Sequence, residues 1–149
     1  MKLIRIGIIG FGNIGKKRFL AILQIKKYNI QVIYIVDKFI KKKIHNKVNI
    51  LNDWKKIKNI DVDLIIIATP TQVTEQIVKE LAGKFNLLVE KPITTNIKLM
   101  NKLVHKSNKN NLLFKVGYNL RFDDGLLLAK NIFNSGKVGS IYYCKIFYA

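Results

Sequence analysis

A doubly wound α/β domain on a parallel sheet is what the sequence predicts, and three observations carry that prediction. Short, nearly continuous aliphatic runs recur along the chain, as strands buried on both faces require. Segments with helical apolar spacing separate them, giving a strand, helix, strand rhythm. The first run leads into "GFGNIG", Gly10 to Gly15, a G-x-G-x-x-G pattern between an expected strand and an expected helix.

Leu3 to Ile9 reads as the first strand, with Arg5 as its one charged interruption. A helix follows from Asn13 to about Lys27, with Ile14, Leu20, Ala21, Leu23 and Ile25 inward and Lys16, Lys17, Gln24 and Lys26 wet. Gln31 to Asp37 is a β-branched second strand ending on a carboxylate, and Val48 to Leu51 a short third. Asn52 or Asp53 caps a brief helix carrying Ile57 and Trp54, the latter expected as a core anchor. Asp63 to Thr69 is the fourth strand, Thr71 to Ala82 an amphipathic helix stopped by Gly83, and Asn86 to Glu90 the fifth strand, ended by Pro92. Thr94 or Thr95 caps a helix to about Ser107, and Leu112 to Asn119 makes the sixth strand.

Residues 1–119 thus form the expected dinucleotide-binding domain, and residues 120–149 change character. A further helix, a glycine-bounded turn and an aromatic strand, Ile141 to Tyr148, predict the start of a second, α+β domain that is cut short. An uncovered aromatic strand is a template for pairing, so a second copy or a complementing chain is expected along Ile141 to Tyr148.

Composition narrows the class. The longest aliphatic runs, such as "LIIIA" at Leu64 to Ala68, are too short to cross a bilayer, so no membrane partner is expected. One cysteine, Cys144, excludes an internal disulfide and fits a reducing cytoplasm. The formal charge of +18 taken alone suggests a nucleic acid, yet arginine occurs only at Arg5, Arg18 and Arg121. Lysine, asparagine and isoleucine crowd the chain as an AT-rich genome would dictate, and no specific nucleic-acid partner is expected. His45 and His105 have no cysteine or carboxylate at metal spacing, so no metal site is expected either.

Each glycine of the motif has its own task. Gly10 permits the turn, Gly12 lets the backbone approach a pyrophosphate, and Gly15 lets the helix pack on the strand. Phe11, Asn13 and Ile14 fill the loop and open the helix, whose free N–H groups and positive dipole end suit phosphate. Asp37 stands where a carboxylate accepts the hydroxyls of a ribose. These features predict a Rossmann-type site for NAD. Asp37 repels a 2′-phosphate, but Lys38 and Lys41 to Lys43 weaken that preference and leave NADP open.

"ATPTQVTEQIV" at Ala68 to Val78 and "VEKPIT" at Val89 to Thr94 place polar residues at two further strand ends, the edge where open α/β sheets bind ligands. With these motifs and "VGYNLRFDDGLLLAKNIFNSGKVGSIYYCKI", nearly the whole chain resembles the glucose–fructose oxidoreductase and inositol dehydrogenase family of nicotinamide-dependent oxidoreductases. That resemblance implies hydride transfer between nicotinamide and a hydroxyl or carbonyl of a sugar, polyol or sugar derivative. It implies that Lys91 is catalytic, that Glu90 positions the nicotinamide ribose, and that Thr69 and Pro70 shape the cofactor cleft. An ammonium partly desolvated beside a cationic ring is suited to exchange a substrate proton. Two departures stand out: Thr74 replaces a histidine the family often carries, and the chain ends before the family's second lobe. A catalytically inactive NAD-binding module or gene fragment is the alternative.

Overall fold

The computed structural model describes residues 2–41 and 44–147; Lys42, Lys43 and Tyr148 of the expectations above lie outside the described residues. The sheet contains β1 (Ile4–Ile9), β2 (Ile30–Val36), β3 (Asn49–Leu51), β4 (Leu64–Ile67), β5 (Leu87–Val89) and β6 (Phe114–Val116). All its pairings are parallel, in the order β3-β2-β1-β4-β5-β6.

Strand side chains alternate between two cores, as the two-residue repeat demands. Ile9, Ile65, Ile67 and Val89 pack with Ile77, Val78 and Leu81 of α2 (Thr71–Leu81) and Leu103 of α3 (Ile97–Lys109). Ile6, Ile8, Ile35 and Ile66 pack on the other face with Phe19 and Ile22 of α1 (Asn13–Leu23). Each such buried aliphatic side chain contributes about 1.5–3 kcal/mol from removal of its surface from water. Helices on both faces make this the Rossmann-type doubly wound sheet that the sequence predicts.

β1 is flanked by β2 and β4, whose crossovers lie on opposite faces, so the strand order reverses there. Register sets Ile9 beside both Val36 and Ile67, which puts Gly10, Asp37 and Ala68 level at the carboxyl edge. The ladder continues one step further: Ile67 lies beside Val89 and Val89 beside Val116, so Glu90 and Gly117 follow on the same line.

Several expectations are corrected. α1 ends at Leu23, not near Lys27, and its buried face is Gly15, Phe19 and Ile22. Ile14, Leu20, Leu23 and Ile25 are exposed. The physical reason is Gly15: a Cβ there would strike the Gly10 carbonyl, so residue 15 is pressed onto the turn and residues 19 and 22 follow it inward at helical spacing. Asn96, not Thr94 or Thr95, caps α3, accepting from Leu99 N–H at 3.0 Å, while Thr94 Oγ1 accepts from Asn96 N–H. β6 keeps three residues of the predicted Leu112 to Asn119. Residues 141–147, expected as an aromatic strand, form no strand: their backbone joins no ladder.

The chain divides into two compact units, Met1–Gly117 and Tyr118–Ala149. The second contains a short 3-10 helix, Asn119–Phe122, and α4 (Asp124–Asn134), whose cap Asp123 accepts from Leu126 N–H at 3.1 Å. No residue of α4 is buried.

At the amino edge of the sheet, Arg5 grips Asp63 through Nε and Nη2, both at 3.1 Å, and also pairs with Asp61. The Arg5 side chain, and then its backbone N–H, hold the Asp63 carboxyl down at about 2 against an ordinary 3.8. A depressed carboxyl stabilises the fold fully above its unfolded value and loses that contribution as pH falls through the folded one. Urea midpoints of the parent chain are therefore expected to drop between about 3.8 and about 2, and to drop less for Asp63→Asn. Equal slopes in that window would contradict the role given to this pair.

Candidate functional site

A cavity of about 540 Å³ opens at the carboxyl edge of the sheet. Its walls include Gly10 and Gly12 after β1, Asp37 after β2, and Thr69 and Pro70 after β4. These five expected site residues converge because the register levels the ends of those strands.

The first glycines show two different constraints. Gly10 has φ +88°, and a Cβ there would lie 2.5 Å from the Ala68 carbonyl oxygen. Gly12 has no such conflict: its φ is −69°, and a Cβ would meet nothing within 4 Å. Among the described residues nothing crowds position 12, and the missing side chain leaves its backbone open to close approach from the cavity. Gly12 also caps α1 without a side-chain acceptor, and the first turn has no acid. The amide hydrogens and positive dipole end of α1 are therefore left for an anion.

Asp37 is half-buried and fixed by its two oxygens: Oδ2 accepts from Phe11 N–H at 2.8 Å and Oδ1 from Phe39 N–H at 2.9 Å. Each oxygen keeps a lone pair for a further donor, so the carboxylate is held in place yet able to take a diol. Phe11 serves through its backbone; its ring is buried edge-on against Phe19, centroids 5.7 Å apart. Asn13 and Ile14 are exposed on the first turn of α1, and Gly15 lies beneath the loop.

Thr74 is buried on α2 and donates from Oγ1 to the Thr69 carbonyl at 2.8 Å. The Thr69 hydroxyl, also 2.8 Å away, then donates to Thr74 Oγ1. The residue standing where a histidine was expected thus braces the Thr69 turn from inside the core.

Glu90 and Lys91 do not line the cavity. Glu90 is largely buried and accepts from Arg18 Nε at 2.6 Å, and Lys91 is exposed at the start of the following turn. Sequence reasoning missed Asn52, Val73 and Ile77 as walls, and read Trp54 only as a core anchor. Trp54 is half-buried: it packs on one core and also borders the cavity, as does the exposed Phe39 of the Asp37 turn. One signal was available for Asn52 and Trp54, since both follow a strand end at the same carboxyl edge. Among the described residues, no three His, Cys, Asp or Glu side chains gather as a metal site. No helix among them is long and apolar enough to cross a membrane.

Residues 4–118 match the oxidoreductase family with an NAD-binding Rossmann fold, Gfo/Idh/MocA. The chain belongs to this family. Among its relatives is the uncharacterized oxidoreductase YrbE of Bacillus subtilis, 31% identical across 94% of this chain and 42% of that protein. The myo-inositol 2-dehydrogenase of Thermotoga maritima is 23% identical over 95% of this chain and 44% of its own length. Among solved structures, the scyllo-inositol dehydrogenase of Lactobacillus casei with bound NAD(H) and scyllo-inositol superposes with a TM-score of 0.81. It is 26% identical, over 94% of this chain and 43% of that one. The chain thus spans less than half the length of these family members.

Proposed function

We propose that the chain is the NAD-binding lobe of an oxidoreductase that moves hydride between nicotinamide and a hydroxyl or carbonyl carbon of a sugar, polyol or sugar derivative. One observation carries this reading: the Gly10–Gly12 turn, the doubly anchored Asp37 and the Thr69–Pro70 turn border one cavity. The open space at Gly12 and the uncapped start of α1 fit a pyrophosphate, and Asp37 fits the adenosine ribose. Thr69 and Pro70 form part of the cavity wall, and Glu90 and Lys91, outside it, take the nicotinamide end on the resemblance to the family alone. NAD, when bound, supplies the hydride acceptor or donor. Lys91 gives or takes the proton of the substrate oxygen, which balances the hydride moved at carbon.

On this reading residues 120–149 begin a second domain, in keeping with a chain that spans less than half the length of its relatives. The likeness to inositol dehydrogenases supports the polyol class. The single cysteine fits a cytoplasmic setting.

The lone tryptophan offers a direct test, because Trp54 borders the cavity. Its fluorescence is expected to change on saturation with NAD or ADP and to stay constant with nicotinamide mononucleotide, which lacks the adenosine half. NADP is expected to bind at least tenfold more weakly than NAD, about 1.4 kcal/mol, since its 2′-phosphate meets the fixed Asp37 charge. Calorimetry that finds no NAD uptake at millimolar concentration would sink the reading.

A second reading, an NAD-binding module without turnover, is favoured by the exposure of Lys91 outside the cavity. Formation of NADH from NAD and inositol isomers, lost in Lys91→Ala with binding retained, decides for the enzyme. Binding without turnover in the parent chain, with the second lobe of a relative supplied as a separate chain, decides for the module.

A further inference from the structure

We propose that Arg18 is a positioning residue for the cofactor: it pins one oxygen of Glu90 and so presents the other to the second ribose of the dinucleotide. This rests on the NAD reading above and adds to it a residue that neither the glycine motif nor the Glu90–Lys91–Pro92 turn contains.

Arg18 lies on α1, the helix that follows the cavity-lining Gly10–Gly12 turn, and its side chain reaches Glu90 at the end of β5. Nε donates to Glu90 Oε1 at 2.6 Å, and Nη2 pairs with the same oxygen. Among the described residues, Oε2 has no hydrogen-bond partner. The carboxylate backs onto Gly117, where a Cβ would lie 2.8 Å from both oxygens. With 13% of its side-chain surface exposed, Glu90 cannot swing freely away. The result is a carboxylate clamped by one oxygen, walled behind, and open for an O–H donor at the other.

Strand order gives this its meaning. Asp37 follows β2 and Glu90 follows β5, on opposite sides of the β1–β4 switch point. Three strand spacings separate them, about 14 Å at the usual distance between neighbours. A ligand whose one ribose meets Asp37 and whose pyrophosphate crosses at Gly12 carries its other ribose toward Glu90. The Arg18–Glu90 pair links the helix after the glycine turn to the turn that bears Lys91.

The choice of arginine supports the assignment. Only three of the chain's 27 basic residues are arginine. Arg5 and Arg18 both act through the guanidinium fork, setting two donors on a carboxylate in fixed geometry, which a lysine ammonium does not reproduce.

The test is calorimetry on the full chain with NAD and with ADP, which lacks the second ribose, for the parent, Arg18→Ala, Arg18→Lys, Glu90→Gln and the Arg18→Ala/Glu90→Gln double variant. Glu90→Gln keeps the side-chain volume and guards against a variant that fails to fold. Arg18→Ala and Glu90→Gln are expected to weaken NAD about tenfold or more and to change ADP less than twofold. The double variant is expected to be no weaker than the worse single, and Arg18→Lys to recover part of the loss. Equal loss for NAD and ADP would assign Arg18 to the support of α1 and overturn the proposal, as would unchanged NAD affinity. A parent chain that binds ADP but not NAD also overturns it, and one that binds neither overturns the NAD reading itself.

Discussion

Gly12→Val is expected to leave the fold standing and to cost at least a hundredfold in NAD affinity. The backbone at Gly12, φ −69° and ψ −161°, is one a β-branched residue adopts, and a Cβ there meets no atom of the protein within 4 Å. The stability loss is thus limited to a poorer helix cap, about 1 kcal/mol or less. A ligand phosphate seated against that backbone would instead meet the new methyl groups, and a hundredfold corresponds to about 2.7 kcal/mol. Urea unfolding and calorimetry on the same sample separate the two effects. A variant that keeps parent-like NAD affinity would show that the pyrophosphate does not pass over Gly12.

Gly15→Val is expected to have the opposite signature, destabilising by about 3 kcal/mol or more with folding itself in doubt at 37 °C. Any Cβ at this position strikes the backbone carbonyl of Gly10, which cannot move without disturbing the turn that hydrogen-bonds to Val36. Overpacking against fixed backbone costs at the upper end of the usual 1–3 kcal/mol range, and a marginally stable domain has little to spare. Thermal unfolding checks this. A midpoint within about 2 °C of the parent would mean that α1 shifts without penalty. Two glycines three residues apart in one motif therefore separate a binding defect from a folding defect.

The strand ends were legible because their signals are local. Aliphatic runs stop at Asp37, Thr69 and Glu90, and each of those residues lies just past its ladder at the carboxyl edge. The glycine motif was legible for the same reason. The inward face of α1 was misread: of the expected Ile14, Leu20 and Leu23, nine residues set Ile14 and Leu23 on opposite sides of a helix, whereas Gly15, Phe19 and Ile22 share one face. The contact of Gly15 with Gly10, a fact of how helix meets strand, fixes that face against the sheet. Trp54 illustrates the limit differently: its size announces burial, but its place on the cavity wall depends on β3 pairing with β2.

Sequence by itself determined the alternation of elements, the glycine turn after β1, the acid at the end of β2 and membership in an oxidoreductase family, because periodicity, glycine spacing and strand-end polarity are written within a few residues of one another. Tertiary structure alone decided that Phe11 and Phe39 amides anchor Asp37, that Thr74 braces Thr69, and that Arg18 holds Glu90 from 72 positions away. Those contacts arise from register between parallel strands and from the pressing of one helix on a turn. Such long-range geometry has no signature in the local order of residues.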